Sequence, residues 1–167
     1  FGIIYGQTRY GLAKALDISA QEAQTIIDKY YMTYPKFQAY MHNTVAFAYE
    51  HGFVETIFGR KRYLAGELSS PNRMIKEFAE RAAINQPLQG TAADLIKKAM
   101  INVDRAFKEN NLKSKMVMQV HDELVFEVVA DELEKVKEIV SNEMQNVADL
   151  KIPLLVDINW GKTWKEQ

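Results

Sequence analysis

The sequence predicts an α+β fold, and three stretches carry that reading. Helix signals dominate the chain up to about residue 78. A long run over 73–110 keeps a helical spacing of apolar residues. Two short runs within 115–128, rich in valine, predict an antiparallel hairpin, because branched and aromatic side chains suit a pleated, half-buried surface. The expected architecture is helices first, then a hairpin or small sheet packed on the long helix.

With 167 residues, 47% hydrophobic and 26% charged, the chain can bury a core and suits one domain or part of a larger one. It holds no cysteine, which excludes a disulfide framework and a thiolate metal site. No apolar run approaches the roughly 20 residues needed to span a bilayer, and no signal peptide opens the chain. No membrane partner is expected, and the expected setting is the cytoplasm. A net charge of −1 is not that of a protein coating nucleic acid at large, yet it allows a local positive surface beside an acidic site. The chain opens on Phe1 rather than Met, so a fragment or processed piece of a longer protein is expected.

In order, residues 1–16 read as two short helical pieces, because Gly6 and Gly11 interrupt the apolar spacing. Phe1 and Tyr5, four apart, would share a face. Ser19 and Glu22 form a capping box for a helix to about Met32, and Pro35 starts another that stops at Gly52. His42 and His51 lack partners at metal-ligand spacing and read as surface or cap residues. Residues 53–63 read as a hairpin through Gly59, whose Arg60, Lys61 and Arg62 are either a solvated edge or a phosphate-gripping patch. Within the long helix Pro87 should kink or break the run, with Thr91 and Asp94 able to restart it. Arg81, Asn85 and Gln89 recur every four residues as a polar stripe, whose donors suit the minor-groove acceptors shared by all base pairs. Asp131 with Glu134 should cap a helix to about Ala148, and residues 152–158 should return as a strand beside the second hairpin.

That second hairpin has a turn built from His121, Asp122 and Glu123, with no glycine to take the positive φ that tight turns favour. A turn of unfavourable residues points to side chains that matter for themselves. A carboxylate pair on a stiff support suits Mg²⁺, although an acidic hairpin tip with no ligand has the same sequence.

The string Gln119-Val120-His121-Asp122-Glu123-Leu124-Val125-Phe126-Glu127 resembles the third polymerase motif of the family A (DNA polymerase I-like) DNA polymerases. Phe1-Gly2-Ile3-Ile4-Tyr5-Gly6 resembles the second half of that family's fingers-helix motif, and the block 80–94 resembles its long palm helix. The tail from Trp160 to Trp164 is similar to the family's carboxyl terminus. The blocks stand in the family's order and cover nearly the whole chain.

The resemblance implies partial fingers over 1–78 and the carboxyl-terminal part of the palm over 79–167. It implies template-directed DNA synthesis with Mg²⁺, primer-template DNA and dNTPs as partners, in the bacterial cytoplasm at the nucleoid. Asp122 and Glu123 would hold metal, and His121 would lie near the primer terminus. Phe1 would pack on the incoming nucleotide and Tyr5 beside the templating position. Arg81, Asn85, Gln89, Arg60 and Arg62 would contact DNA. The family's other essential Asp lies in an upstream motif like Asp-Tyr-Ser-Gln-Ile-Glu, and no such string occurs here. One carboxylate cannot hold two divalent ions close together against their repulsion, so the chain alone is expected to be inactive and to need the upstream part of the same polymerase. The alternatives are a non-catalytic fragment that binds primer-template DNA, and a metal-dependent nuclease, which would need more carboxylates near Asp122.

Overall fold

The structure, a computed structural model, describes residues 2–163. It divides into two compact units, 1–91 and 92–167.

The first unit opens with a 3-10 turn, Gly2–Tyr5, followed by α1 (Arg9–Leu16), α2 (Ala20–Thr33) and α3 (Pro35–His51). The expected capping box is present: Ser19 Oγ accepts from the Glu22 N–H at 3.2 Å, and Glu22 Oε2 accepts from the Ser19 N–H at 2.9 Å. Gly52, at φ 76°, turns the chain out of α3 in the left-handed region, where glycine carries no steric penalty. Leu12, Ala23 and Ile27 form a small core where α1 meets α2.

β1 (Phe53–Glu55) and β2 (Lys61–Tyr63) pair antiparallel, with Val54 opposite Arg62. Val54 and Leu64 are almost fully buried, with Ala48, Leu68, Ala79, Ala82 and Ala83. The last three lie on α5 (Arg73–Glu109), where small side chains let the hairpin and the short α4 (Ala65–Leu68) approach closely. Gly90 takes this further. A Cβ there would stand 2.8 Å from Thr56 Cγ2, so the hairpin loop sits on bare helix backbone. Arg60 Nη2 helps fasten it by donating to the Gly90 carbonyl at 2.9 Å, as does the Ile57 N–H by donating to Thr91 Oγ1 at 3.2 Å.

α5 follows Asn72, whose Oδ1 accepts from the Met74 N–H at 2.9 Å, and it runs unbroken for 37 residues. The break allowed for at Pro87 does not occur, and Thr91 and Asp94 begin no new helix. Proline costs the bond to the Ala83 carbonyl, but the packing of Ala79, Ala82 and Ala83 just before it offsets that one loss. Tyr40 adds a cross-tie by donating its hydroxyl to the Ile84 carbonyl at 3.1 Å.

In the second unit, β3 (Lys115–Val120) and β4 (Glu123–Glu127) form an antiparallel pair, with a bulge between Met116 and Met118. Val103 and Phe107 of α5 and Val136, Ile139 and Val140 of α6 (Leu133–Gln145) make its core, and Met116, Phe126 and Val128 pack on it. The expected hairpin on a long helix is therefore present.

Two expectations for this unit are corrected. Asp131 does not cap α6: a 3-10 turn, Ala130–Glu132, precedes the helix, whose first turn has no side-chain cap. Residues 152–158 keep strand alternation, with Leu154, Val156 and Ile158 half-buried and Leu155 and Asp157 exposed, but they pair with nothing among the described residues. Alternation sets which side chains face inward, whereas a strand also needs an adjacent backbone to bond.

Glu132 has a different task. Its carboxylate accepts from the Lys113 N–H at 2.9 Å, and from the Ser114 N–H at 2.9 Å and hydroxyl at 2.6 Å. The Ser114 hydroxyl in turn accepts from the Val129 N–H at 3.0 Å. These donors, the Lys113 N–H foremost, hold the Glu132 carboxyl below the usual glutamate range. A depressed folded-state pKa gives stability that is present above the unfolded value and lost as pH falls through the folded one. Glu132→Gln should therefore lower the melting temperature at pH 7. The gap from the parent should close as the pH falls below about 4. Melting curves at both pH values check this, and a gap that does not depend on pH would refute it.

Candidate functional site

The first unit gathers most of the expected DNA-contacting residues around one cleft. Its volume is about 260 Å³, and its walls are Tyr5, Arg62, Phe78, Arg81, Ala82, Asn85, Gln86 and Gln89. Three separate stretches meet here, and each does so for a local reason. Arg81, Asn85 and Gln89 share one face of α5 because a four-residue step nearly matches the helical turn. Arg62 faces the cleft because Val54, its cross-strand partner, anchors the hairpin in the core; its Nη1 donates to Gln86 Oε1 at 3.3 Å. Tyr5 is brought in by Gly6, at φ 75°, where an added Cβ would stand only 3.3 Å from Arg81 Cγ.

The chemistry of this cleft is donor-rich, with two guanidinium groups, three side-chain amides and two aromatic rings. The Asn85 Oδ1 atom is buried with no hydrogen-bond partner, a condition that costs about 1–3 kcal/mol and that a ligand can relieve. Arg60 stands apart from this group, since its Nη2 is bonded to the Gly90 carbonyl. Phe1 lies outside the described residues.

The second unit carries the acidic tip. Val120 pairs with Glu123, so the loop proper is only His121-Asp122, and Glu123 is the first residue of β4 rather than part of the turn. His121 takes φ 52°, a left-handed conformation that histidine tolerates better than a branched residue would. The Gln119 side-chain amide donates to the His121 carbonyl and clamps the loop from within β3. His121, Asp122 and Glu123 are all exposed.

Beside the tip lies a cleft of about 840 Å³. The chain from Asp122 to Phe126 forms one wall, residues 155–161 another, and α6 contributes Val136, Lys137 and Val140. Asp122, Glu123 and Asp157 all border it. Among the described residues no three His, Cys, Asp or Glu side chains converge as a metal site. The hard oxygens of Asp122 and Glu123 fit a share in holding Mg²⁺, an ion that keeps several waters and takes few protein ligands.

Sequence reasoning named the Arg81, Asn85 and Gln89 stripe, Tyr5, Arg62 and the acidic tip. It gave no role to Phe78, Gln86 or Gln119. Phe78 and Gln86 stand three residues before Arg81 and one after Asn85, and the same helical spacing carries both to the cleft. Nothing in the sequence marks the Gln119 bond to the turn.

A donor-rich cleft on a long helix and a carboxylate pair on a hairpin tip together suit a protein that handles nucleic acid and phosphate. The sequence profile of DNA polymerase family A matches residues 1–166, and the chain belongs to that family. It is 51% identical over 166 residues to the DNA polymerase I of Caldicellulosiruptor bescii, covering 99% of this chain and 19% of that protein. It is 48% identical over 166 residues to the DNA polymerase I of Pseudomonas aeruginosa, covering 99% and 18%. The chain thus spans about a fifth of the length of these relatives. The POL domain of Pol1 from M. smegmatis, solved in complex with DNA primer-template and dNTP, superposes with a TM-score of 0.95 at 44% identity, over 98% of this chain and 29% of that one. Among the described residues no helix is long and apolar enough to cross a membrane.

Proposed function

We propose that this chain is the carboxyl-terminal part of a polymerase region and contributes to template-directed DNA synthesis. Partial fingers would span 1–78 and the end of the palm 79–167. The observation that carries the reading is the similarity over nearly the full chain to a polymerase domain solved with primer-template and dNTP. The setting it implies is the bacterial cytoplasm, at the nucleoid.

In this reaction the primer 3′-oxygen bonds to the α-phosphorus of a dNTP, its proton leaves, and the bond to pyrophosphate breaks. Asp122 would be the principal metal ligand of this chain and Glu123 a supporting one, with His121 near the primer terminus. When bound, Mg²⁺ neutralises charge developing on the phosphate and on the attacking oxygen. Phe1 would pack on the incoming nucleotide. Tyr5 would stand beside the templating base. Arg81, Asn85 and Gln89 would contact primer and template, and Arg62 and Arg60 the backbone.

Completion from outside the chain is part of this reading. Among the described residues β4 has no strand on its second edge, and the 840 Å³ cleft beside it is flanked by the unpaired but alternating segment 152–158. That geometry favours a further strand, from the upstream part of the same polymerase, seated between the two. It would bring the second carboxylate that two metal ions need.

Primer-template binding and primer extension test the proposal together. The chain alone should bind primer-template DNA without Mg²⁺ and extend nothing, and adding the upstream polymerase segment should start synthesis. Extension by the chain alone would refute the missing-carboxylate argument. Binding with no rescue would leave the chain a DNA-binding fragment.

A further inference from the structure

Pro87 gives α5 a weak turn in the middle of its polar stripe. Asn85 stands two residues before the proline and Gln89 two residues after it, so the relative aim of the two amides depends on how that turn is held. The Asn85 Oδ1 atom is buried without a hydrogen-bond partner, so no bond to that atom fixes the direction of its amide.

Side chains from outside α5 donate to carbonyls on either side of the proline. Tyr40 of α3 donates its hydroxyl to the Ile84 carbonyl, three residues before Pro87, at 3.1 Å. Arg60 Nη2 donates to the Gly90 carbonyl, three residues after it, at 2.9 Å. A tyrosine–carbonyl bond between two helices is ordinarily a packing tie and no more. This one ends on the residue between Asn85 and Ala83, whose carbonyl is the one that the proline leaves without its helical donor. The ring that carries the hydroxyl is half-buried and braced by Phe37, with the centroids 5.9 Å apart. Burial pushes the Tyr40 phenol above its usual range, outweighing a Thr44 hydrogen bond that lowers it, so the group stays a protonated donor well past neutral pH.

We propose that Tyr40 is a positioning residue for DNA binding: its hydroxyl splints the proline turn of α5 and thereby sets the aim of Asn85 and Gln89 into the cleft. Tyr40 is not among the residues that line the cleft, so it acts through the backbone of α5 rather than by touching DNA. This rests on the DNA-binding reading of the cleft and adds to it a residue that works at one remove.

Fluorescence anisotropy of the chain on primer-template DNA tests the proposal. Tyr40→Phe removes only the hydroxyl and should weaken binding about 3- to 10-fold, the range of one net hydrogen bond. The slope of affinity against salt should not change, because Arg62 and Arg81 keep their phosphates and the weakened contacts are uncharged. Pro87→Ala returns the missing N–H to the helix, and in that background the loss caused by Tyr40→Phe should shrink below about 1.5-fold. It should shrink in the same way in a chain carrying Asn85→Ala and Gln89→Ala. A tyrosine that only steadied the fold would cost the same in every background. Thermal melting of each variant fixes an assay temperature at which all are folded.

Binding by Tyr40→Phe equal to wild type would overturn the assignment. An undiminished loss in the Pro87→Ala background would overturn the splint, and an undiminished loss without the two amides would overturn the action through them. Failure of the wild-type chain to bind primer-template DNA would overturn the reading of the cleft, and this inference with it.

Discussion

Asp122→Asn, made in the chain joined to the upstream polymerase segment proposed above, should reduce primer extension by about a thousandfold or more. Metal ions at phosphoryl centres contribute several kcal/mol of transition-state stabilisation, and an amide in place of a ligating carboxylate forfeits much of it. The substitution is close to isosteric, lies in an exposed two-residue loop, and replaces aspartate with another residue that suits turns. Folding should therefore be untouched. Primer-template affinity should hold or tighten slightly, since one negative charge near phosphates is removed. Single-turnover extension beside an anisotropy titration separates the two effects. Extension near the parent rate would remove Asp122 from the chemistry.

Phe107→Ala should be the most damaging substitution to the fold of the second unit, at about 3–5 kcal/mol. Phe107 is 5% exposed, and its ring centroid lies 5.7 Å from that of Phe126 on β4. Removing it empties the space where α5, α6 and the hairpin meet, beside Val103, Val136 and Ile139. Because Phe126 stands three residues beyond Glu123, the loss also undermines the strand that carries the acidic tip. Urea unfolding followed by circular dichroism measures the effect; a change below about 1 kcal/mol would mean that the core collapses around the gap.

What was legible in the sequence was local. Ser19 with Glu22, and Pro35 with Gly52, are signals that lie within or at the ends of a single helix. Where the outcome depended on a distant part of the chain, local physics misled. Pro87 looks like a helix breaker until the alanine face packed beneath β1 and β2 is counted. Residues 152–158 alternate like a strand, but a strand also needs a neighbour to bond. Asp131 looked like the cap, while Glu132 beside it bonds back to Lys113 and Ser114, a tie across the chain that spacing does not reveal. The site divides in the same way. The stripe on α5 could be read from its four-residue repeat, whereas the meeting of Phe78 and Arg62 with Tyr5 depends on three stretches folding together.

The edge of β4 that pairs with no strand among the described residues also bears on how the chain behaves in company. An uncovered strand edge is a template for a second copy, and stacks of such edges are a route to aggregation. β4 begins with Glu123 and ends with Glu127. If two copies met antiparallel about Val125, each Glu123 would face the other copy's Glu127, so both ends of the ladder would oppose like charges. Glu123, itself part of the acidic tip, and Glu127 would thus also act as gatekeepers, turning away a copy of the strand while leaving its apolar middle open to a partner whose ends are not acidic.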